Sequence, residues 1–198
     1  LQEMVKLKQK YGVWLFVDEA HSTGVFGKER AGLCQELNLS DQVEIQMGTL
    51  SKAIGVSGGY IAGSQTLIDF LINKARSFIF STSVSPANAA AALASLQLIA
   101  SAEGETRCKT LWQRVHQLRE GLSQRFFQLG QSPIFPILLG ASEKALGAAN
   151  ILKTEGFWVP AIRYPTVPRN QARLRVTLSA NHSEESITEL IQTLNTLV

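Results

Sequence analysis

The 198-residue sequence has only two cysteines, Cys34 and Cys108, far apart and with no C-x-x-C or Cys/His spacing around either. Neither a disulfide framework nor a zinc site is indicated, and a reducing cytoplasm is the expected setting. Long hydrophobic runs are also missing. The longest apolar stretch, Ala87 to Ala102, is mostly alanine and is broken by Asn88, Ser95 and Gln97, which is poor material for a bilayer span. No sign of charge dominates: 19 Lys+Arg against 16 Asp+Glu leave a net charge of +3, a small surplus rather than a basic tail. The dense Lys/Arg footprint of a nucleic-acid-binding surface is therefore absent. An initiator methionine is lacking too, as is the charged and then apolar leader of a secreted protein. What is present, 45% hydrophobic and 18% charged residues, is globular composition, enough for one large domain or two small ones.

Leu1 opens a segment with apolar residues at Leu1, Met4, Val5 and Leu7 and basic residues before Gly12. It reads as a helix already under way and closed by that glycine, so the chain is expected to be the later part of a longer protein. Val13 to Val17 is a short continuous apolar run ending at Asp18, the pattern of a strand buried on both faces of a parallel sheet. Ligands gather beyond the carboxyl ends of such strands, which draws attention to Asp18 and His21. A second strand is expected over Val43 to Met47 and a third over Tyr60 to Ala62, with Lys52 in the irregular stretch between them.

Pro86 to Ala100 has strong helix propensity and a proline where a helix start tolerates one. Leu111, Val115, Leu118, Leu122 and Phe126 recur at helical spacing until Gly130. A domain transition is placed between Ala102 and Thr106, dividing the chain into residues 1–104 and 105–198. Beyond it the order reads strand (Ile134 to Leu139), helix (Glu143 to Glu155), strand (Phe157 to Ile162), a proline-bounded loop, strand (Arg173 to Ser179) and a final helix with Ser183 as N-cap. This is the pattern of a small α/β domain.

Two local patterns invite a false match. Val17-Asp18-Glu19-Ala20-His21 has the form of a helicase Walker B segment, but neither a Ser-Ala-Thr segment nor an arginine-rich closing motif follows it. Gly55-Val56-Ser57-Gly58-Gly59 has the form of a nucleophile elbow, yet strand-like Tyr60-Ile61-Ala62 follows the glycines where a helix is required. A third combination is more informative. Asp18, His21, Thr49 and Lys52 together match what pyridoxal phosphate needs: a lysine for the Schiff base, a carboxylate to keep the pyridine nitrogen protonated, and donors for the phenolic oxygen and phosphate. Lys52 follows Asp18 by 34 residues, which puts the two on successive strand-end loops of one sheet.

VDEAHSTGVFG, then GTLSKAIGVSGGYIAGS, FIFSTSVSP, PAIRYPTVP and RLRVTLSANH together resemble the α-oxoamine synthase family of class II pyridoxal-phosphate enzymes. The resemblance covers essentially the whole chain but only the second half of a typical member. It implies an α/β fold of the fold-type I pyridoxal-phosphate-dependent transferases. The chain would hold the later part of the large mixed-sheet domain and a small C-terminal α/β domain. DEAHSTGVFG and PAIRYPTVP are most similar to the branch that joins L-alanine to a pimeloyl thioester, carried on coenzyme A or a carrier protein. Other branches use glycine or serine with an acyl-CoA, and an inactive truncated homologue serving as a dimerisation module is the rival from a different class.

Carried over by position, the resemblance makes Lys52 the Schiff-base lysine and the base for the α-proton. By the same resemblance Asp18 pairs with the ring nitrogen, His21 bonds the phenolic oxygen, and Thr49 contacts the phosphate or its neighbourhood. Ser81, Thr82 and Ser83 match a segment that serves the phosphate site of the opposite subunit, which implies a homodimer. Thr166 matches a substrate-contacting position and Arg175 the arginine that holds the amino-acid carboxylate. Strand periodicity supports Arg175 independently, since Leu174, Val176 and Leu178 share one face and leave Arg173, Arg175 and Thr177 on the other. No metal, membrane or nucleic-acid partner is implied. The isolated chain is expected to be a poor catalyst, because in the family the earlier residues supply the side chain stacked on the ring and part of the phosphate cup.

Overall fold

The computed structural model describes residues 1–122 and 132–197. The chain divides into two compact units, Leu1–Glu105 and Thr106–Val198, taken here one at a time.

The first unit opens with helix α1 (Gln2–Tyr11), closed by Gly12 in the left-handed region (φ 63°), whose amide donates to the Lys8 carbonyl. Glycine occupies that conformation without the Cβ clash other residues meet. Strand β1 (Phe16–Asp18) follows, then the short helix α2 (Leu33–Glu36), a 3₁₀ turn (Ser40–Gln42), β2 (Ile45–Thr49) and β3 (Gly59–Gly63). The sheet order is β1-β2-β3. β1 and β2 run parallel with Phe16 opposite Ile45 and Asp18 opposite Met47, and β3 returns antiparallel with Gly59 opposite Thr49. The parallel register brings the carboxyl ends of β1 and β2 to the same end of the sheet.

Two expectations are corrected here. The apolar run Val13–Val17 yields only the three-residue β1, and it is not buried on both faces: Trp14 is 72% and Phe16 52% exposed, while Leu15 is buried. β1 has β2 as its one neighbour among the described residues, so its other edge lies open and the run is not sandwiched. The second strand begins two residues later than Val43, because the 3₁₀ turn reaches forward and the Val43 amide donates to the Ser40 carbonyl.

Beyond β3, α3 (Gln65–Lys74) and α4 (Arg76–Ile79) fill a stretch to which the sequence reading assigns no element. Ser64 caps α3 by accepting from the Leu67 amide at 3.3 Å, a side-chain cap worth about 1 kcal/mol. Helix α5 (Pro86–Ala100) is as expected, with Ser85 as N-cap and proline in the first turn. The buried cluster of this unit is small, formed by Val5, Leu15, Cys34, Leu39 and Val43. Large apolar side chains stay exposed around it, among them Phe70, Phe78, Phe80 and Leu93.

The second unit contains most of α6 (Ala102–Gly121), β4 (Ile134–Gly140), α7 (Ser142–Thr154), β5 (Ala161–Ile162), β6 (Ala172–Thr177) and α8 (Glu184–Leu197). Phe126 and Gly130, placed at the end of the long helix, lie outside the described residues. The sheet is antiparallel in the order β4-β6-β5. Its third strand is much shorter than Phe157 to Ile162: Pro160 offers no amide to a ladder, although its carbonyl still accepts from Arg175. The core is well filled, with Leu118, Phe135, Ile137, Leu152, Leu174 and Leu194 at 0% exposure. Each such side chain contributes about 1.5–3 kcal/mol of burial. Ser183 caps α8 as expected, accepting from the Ser186 amide at 3.1 Å.

Candidate active site

The chemistry-bearing residues of the first unit gather at the carboxyl end of its parallel pair. Asp18 ends β1, and its Oδ1 accepts from the Ala20 amide at 2.8 Å, which fixes the carboxylate against the turn that follows. The Glu19 amide extends the pairing one step by donating to the Met47 carbonyl at 2.6 Å. The Glu19 carbonyl then accepts from the Ser22 and Thr23 amides at 2.9 and 3.0 Å, closing a tight turn that carries His21. Both Asp18 and His21 are exposed.

Thr49 ends β2. Its hydroxyl donates to the Gly58 carbonyl at 3.2 Å and lies 2.8 Å from the Ser51 hydroxyl. The loop carrying Lys52 is tied at its base, where the Leu50 amide donates to the Gly58 carbonyl and the Val56 amide to the Leu50 carbonyl. Gly55 and Gly58 stand at φ 78° and 130°, which a residue with a Cβ adopts only with strain. Lys52 is exposed at this sheet end. Ser57, the serine of the false elbow, is exposed on the same loop and leads into β3 rather than a helix.

The donor set fits pyridoxal phosphate. A primary amine, a carboxylate, an imidazole and a hydroxyl stand at one sheet end, and Gly48 lets the Tyr60 ring pack directly on the strand beside Thr49: a Cβ there would lie 2.4 Å from that ring. Ser81 and Thr82 sit exposed on the loop between α4 and α5. In the second unit, Thr166 is exposed after the turn at Arg163. Arg175 lies on β6 with the alternation expected of it: Leu174 and Val176 are buried, Arg173 and Arg175 half-buried and Thr177 exposed.

Sequence reasoning missed the groups that hold this turn in place. Glu19 is 3% exposed and Arg30 8%. The Glu19 carboxylate accepts from the Leu33 and Cys34 amides at 2.9 and 2.7 Å and from the Ser22 hydroxyl. Burial pushes its pKa up, but hydrogen bonds from Cys34, Ser22 and the two amides outweigh burial and hold it below the ordinary carboxylate value. The Cys34 thiol, buried and beside that carboxylate, is pushed up to about 12. A neutral, buried thiol of this kind is structural rather than reactive.

Parallel strands with functional groups at their shared carboxyl end, followed by an antiparallel strand, are the arrangement of the fold-type I pyridoxal-phosphate transferases. The family model for class I and II aminotransferases matches residues 1–194, and the chain belongs to that family. Among proteins of known name, 8-amino-7-oxononanoate synthase of Bordetella petrii is 45% identical over the whole chain and half of that protein's length. The enzyme of the same name from Anaeromyxobacter dehalogenans is 43% identical over 94% of the chain and 47% of its own length. Among solved structures, a serine palmitoyltransferase from S. paucimobilis with bound PLP–myriocin aldimine superposes with a TM-score of 0.90 at 27% identity, over the whole chain and half of that protein. The 8-amino-7-oxononanoate synthase of Francisella tularensis gives 0.80 at 28% identity, over 92% of the chain and 54% of that protein. The chain thus spans about half the length of the relatives it matches.

Proposed function

We propose that this chain is the lysine-bearing later half of a pyridoxal 5'-phosphate-dependent acyltransferase. The reaction condenses L-alanine with a pimeloyl thioester, on coenzyme A or a carrier protein, to give 8-amino-7-oxononanoate for biotin synthesis. The observation that carries the reading is the presence of Asp18 at the carboxyl end of one strand and Lys52 just beyond that of its parallel neighbour. The choice of substrates is supported by the names of relatives at 41–45% identity.

Each residue has a physical task. When bound, the cofactor delocalises the charge left at the amino acid's α-carbon. Lys52 would hold the cofactor, and its amine would serve as the base that takes the α-proton of alanine. Asp18 keeps a positive charge favourable at the ring nitrogen, because a carboxylate at hydrogen-bond range stabilises the protonated form. His21 would bond the phenolic oxygen, and Thr49 would contact the phosphate or its neighbourhood. Arg175 grips the alanine carboxylate through two parallel N–H bonds, a geometry lysine cannot reproduce, and Thr166 contacts substrate. Attack of the α-carbon on the thioester carbonyl forms the new carbon–carbon bond and releases the thiol. Loss of the original carboxylate as carbon dioxide then completes the exchange.

The active form is proposed to be a cytoplasmic homodimer, with Ser81 and Thr82 serving the partner's phosphate site. Among the described residues no helix is long and apolar enough to cross a membrane. The test is alanine-dependent thiol release from pimeloyl-CoA by this chain expressed alone and together with the half its relatives possess as a separate polypeptide. Activity is expected only in the second case. Activity with glycine or serine in place of alanine would move the assignment to another branch. Inactivity in both cases, with a stable dimer, would favour the dimerisation module.

A further inference from the structure

We infer that Glu19 is a positioning residue for the proposed site: its buried carboxylate locks the turn that carries His21 to a segment 14 and 15 residues away. The inference rests on the functional reading above and adds to it a group that touches none of the reacting atoms.

The structural observations converge on one side chain. Glu19 is directly joined to Asp18, and its own backbone amide is the last rung between β1 and β2. Its carbonyl collects the Ser22 and Thr23 amides and the Thr23 hydroxyl. Its carboxylate collects the Leu33 and Cys34 amides and the Ser22 hydroxyl. The cradle is specific: at Gly32, φ 140°, a Cβ would come within 2.8 Å of the Glu19 carboxyl carbon, so the backbone there closes on the acid as only glycine allows. An acid this buried, at 3% exposure, is retained only where its charge is met by donors.

The turn so fixed is also the wall against which the Lys52 loop rests. The Thr23 hydroxyl lies 3.1 Å from the Tyr60 hydroxyl, and Tyr60 packs over Gly48, beside Thr49. Gly24 approaches Ala53, the neighbour of Lys52, so closely that a Cβ on Gly24 would lie 2.6 Å from the Ala53 Cβ. Arg30 ties the far side of the same loop to the end of α5 through the Ile99 and Ser101 carbonyls. Releasing the Glu19 carboxylate therefore loosens the placement of His21 and the support of Lys52 together. Leaving the fold's larger core intact, the loss is local.

The experiment uses the complete enzyme with pyridoxal phosphate and compares Glu19→Gln, Ser22→Ala and Leu152→Ala. Gln presents an amide to the backbone N–H groups where the second carboxylate oxygen stood. Ser22→Ala removes a single donor and is the milder variant should Glu19→Gln fold poorly. Leu152→Ala lowers stability from the buried core of the second unit without touching Glu19 or the residues it holds. Two readouts are taken: amide hydrogen exchange over residues 19–24, and the visible absorption bands of the cofactor–lysine linkage, which respond to hydrogen bonding at the phenolic oxygen. In Glu19→Gln, exchange over 19–24 is expected to rise about tenfold or more, the scale of one lost charge-assisted hydrogen bond, and the band ratio is expected to shift. Ser22→Ala should move both in the same direction by less, and Leu152→Ala should leave the band ratio unchanged. A band ratio in Glu19→Gln and Ser22→Ala that stays with wild type would overturn the inference, as would an equal shift in Leu152→Ala. A wild-type enzyme that forms no lysine linkage at all would instead refute the functional reading on which it rests.

Discussion

Gly24→Ala is the substitution whose effect follows most directly from the geometry. Gly24 stands at φ 84°, a region that costs a residue with a Cβ about 1–2 kcal/mol. The added methyl would also lie 2.6 Å from the Ala53 Cβ, far inside van der Waals contact, and relieving such overpacking typically costs about 1–3 kcal/mol. The two terms together give an expected loss of about 2–5 kcal/mol, read as a lowered denaturant midpoint. The second term can be isolated, because Ala53→Gly deletes the atom being struck and leaves the Ile99 Cδ1 at 3.8 Å and the Ala53 Cα at 4.0 Å, both ordinary contacts. Ala53→Gly alone should cost no more than about 1 kcal/mol through the entropy of the unfolded chain. In the double variant it should return about 1–3 kcal/mol, with the backbone term left behind. The rate at which borohydride traps the cofactor on Lys52 should fall in Gly24→Ala and recover with Ala53→Gly. A Gly24→Ala variant as stable as wild type, or two substitutions whose effects simply add, would refute the claim that the turn after β1 bears on the Lys52 loop.

Other expectations are simpler to state. Asp18→Asn should leave the cofactor bound but slow α-proton exchange of L-alanine by about 100- to 1000-fold, the scale of removing one preorganised electrostatic group; near-normal exchange would count against the role given to Asp18. Arg175→Lys should lower kcat/KM for alanine by about ten- to hundredfold, since a point charge replaces a bidentate clamp, and steady-state kinetics would expose an unchanged value. Leu174→Ala, at a position of 0% exposure in the second unit, should cost about 2–5 kcal/mol in urea denaturation. A loss below 1 kcal/mol would show that the site collapses around the cavity.

The placement of Asp18 and Lys52 at one end of the sheet was legible in the sequence because both signals are local: a short apolar run ending in an acid, and a glycine-rich loop around a lysine. The alternation on β6 was legible for the same reason, since one face of that strand is packed and the other is not. Glu19 was not. Its identity suggests a solvated or metal-binding acid, and only the fold brings it the Leu33 and Cys34 amides. No spacing rule foretells donors that come from backbone. α3 did carry a signal, in Ser64 as cap and in the helical spacing of Leu67, Ile68, Leu71 and Ile72. The failure at β1 has the opposite origin: an apolar run reports what a strand is suited to, not how many neighbours it pairs with, and among the described residues β1 pairs with β2 alone.

Lys52 is the residue on which the proposed chemistry turns. The complete enzyme, saturated with pyridoxal phosphate, is reduced with borohydride, digested and mapped by mass spectrometry. A pyridoxyl-phosphate mass on the peptide containing Lys52, absent in Lys52→Ala together with alanine-dependent thiol release, is the expected result. A label on another lysine, or labelling and turnover that survive Lys52→Ala, would contradict it.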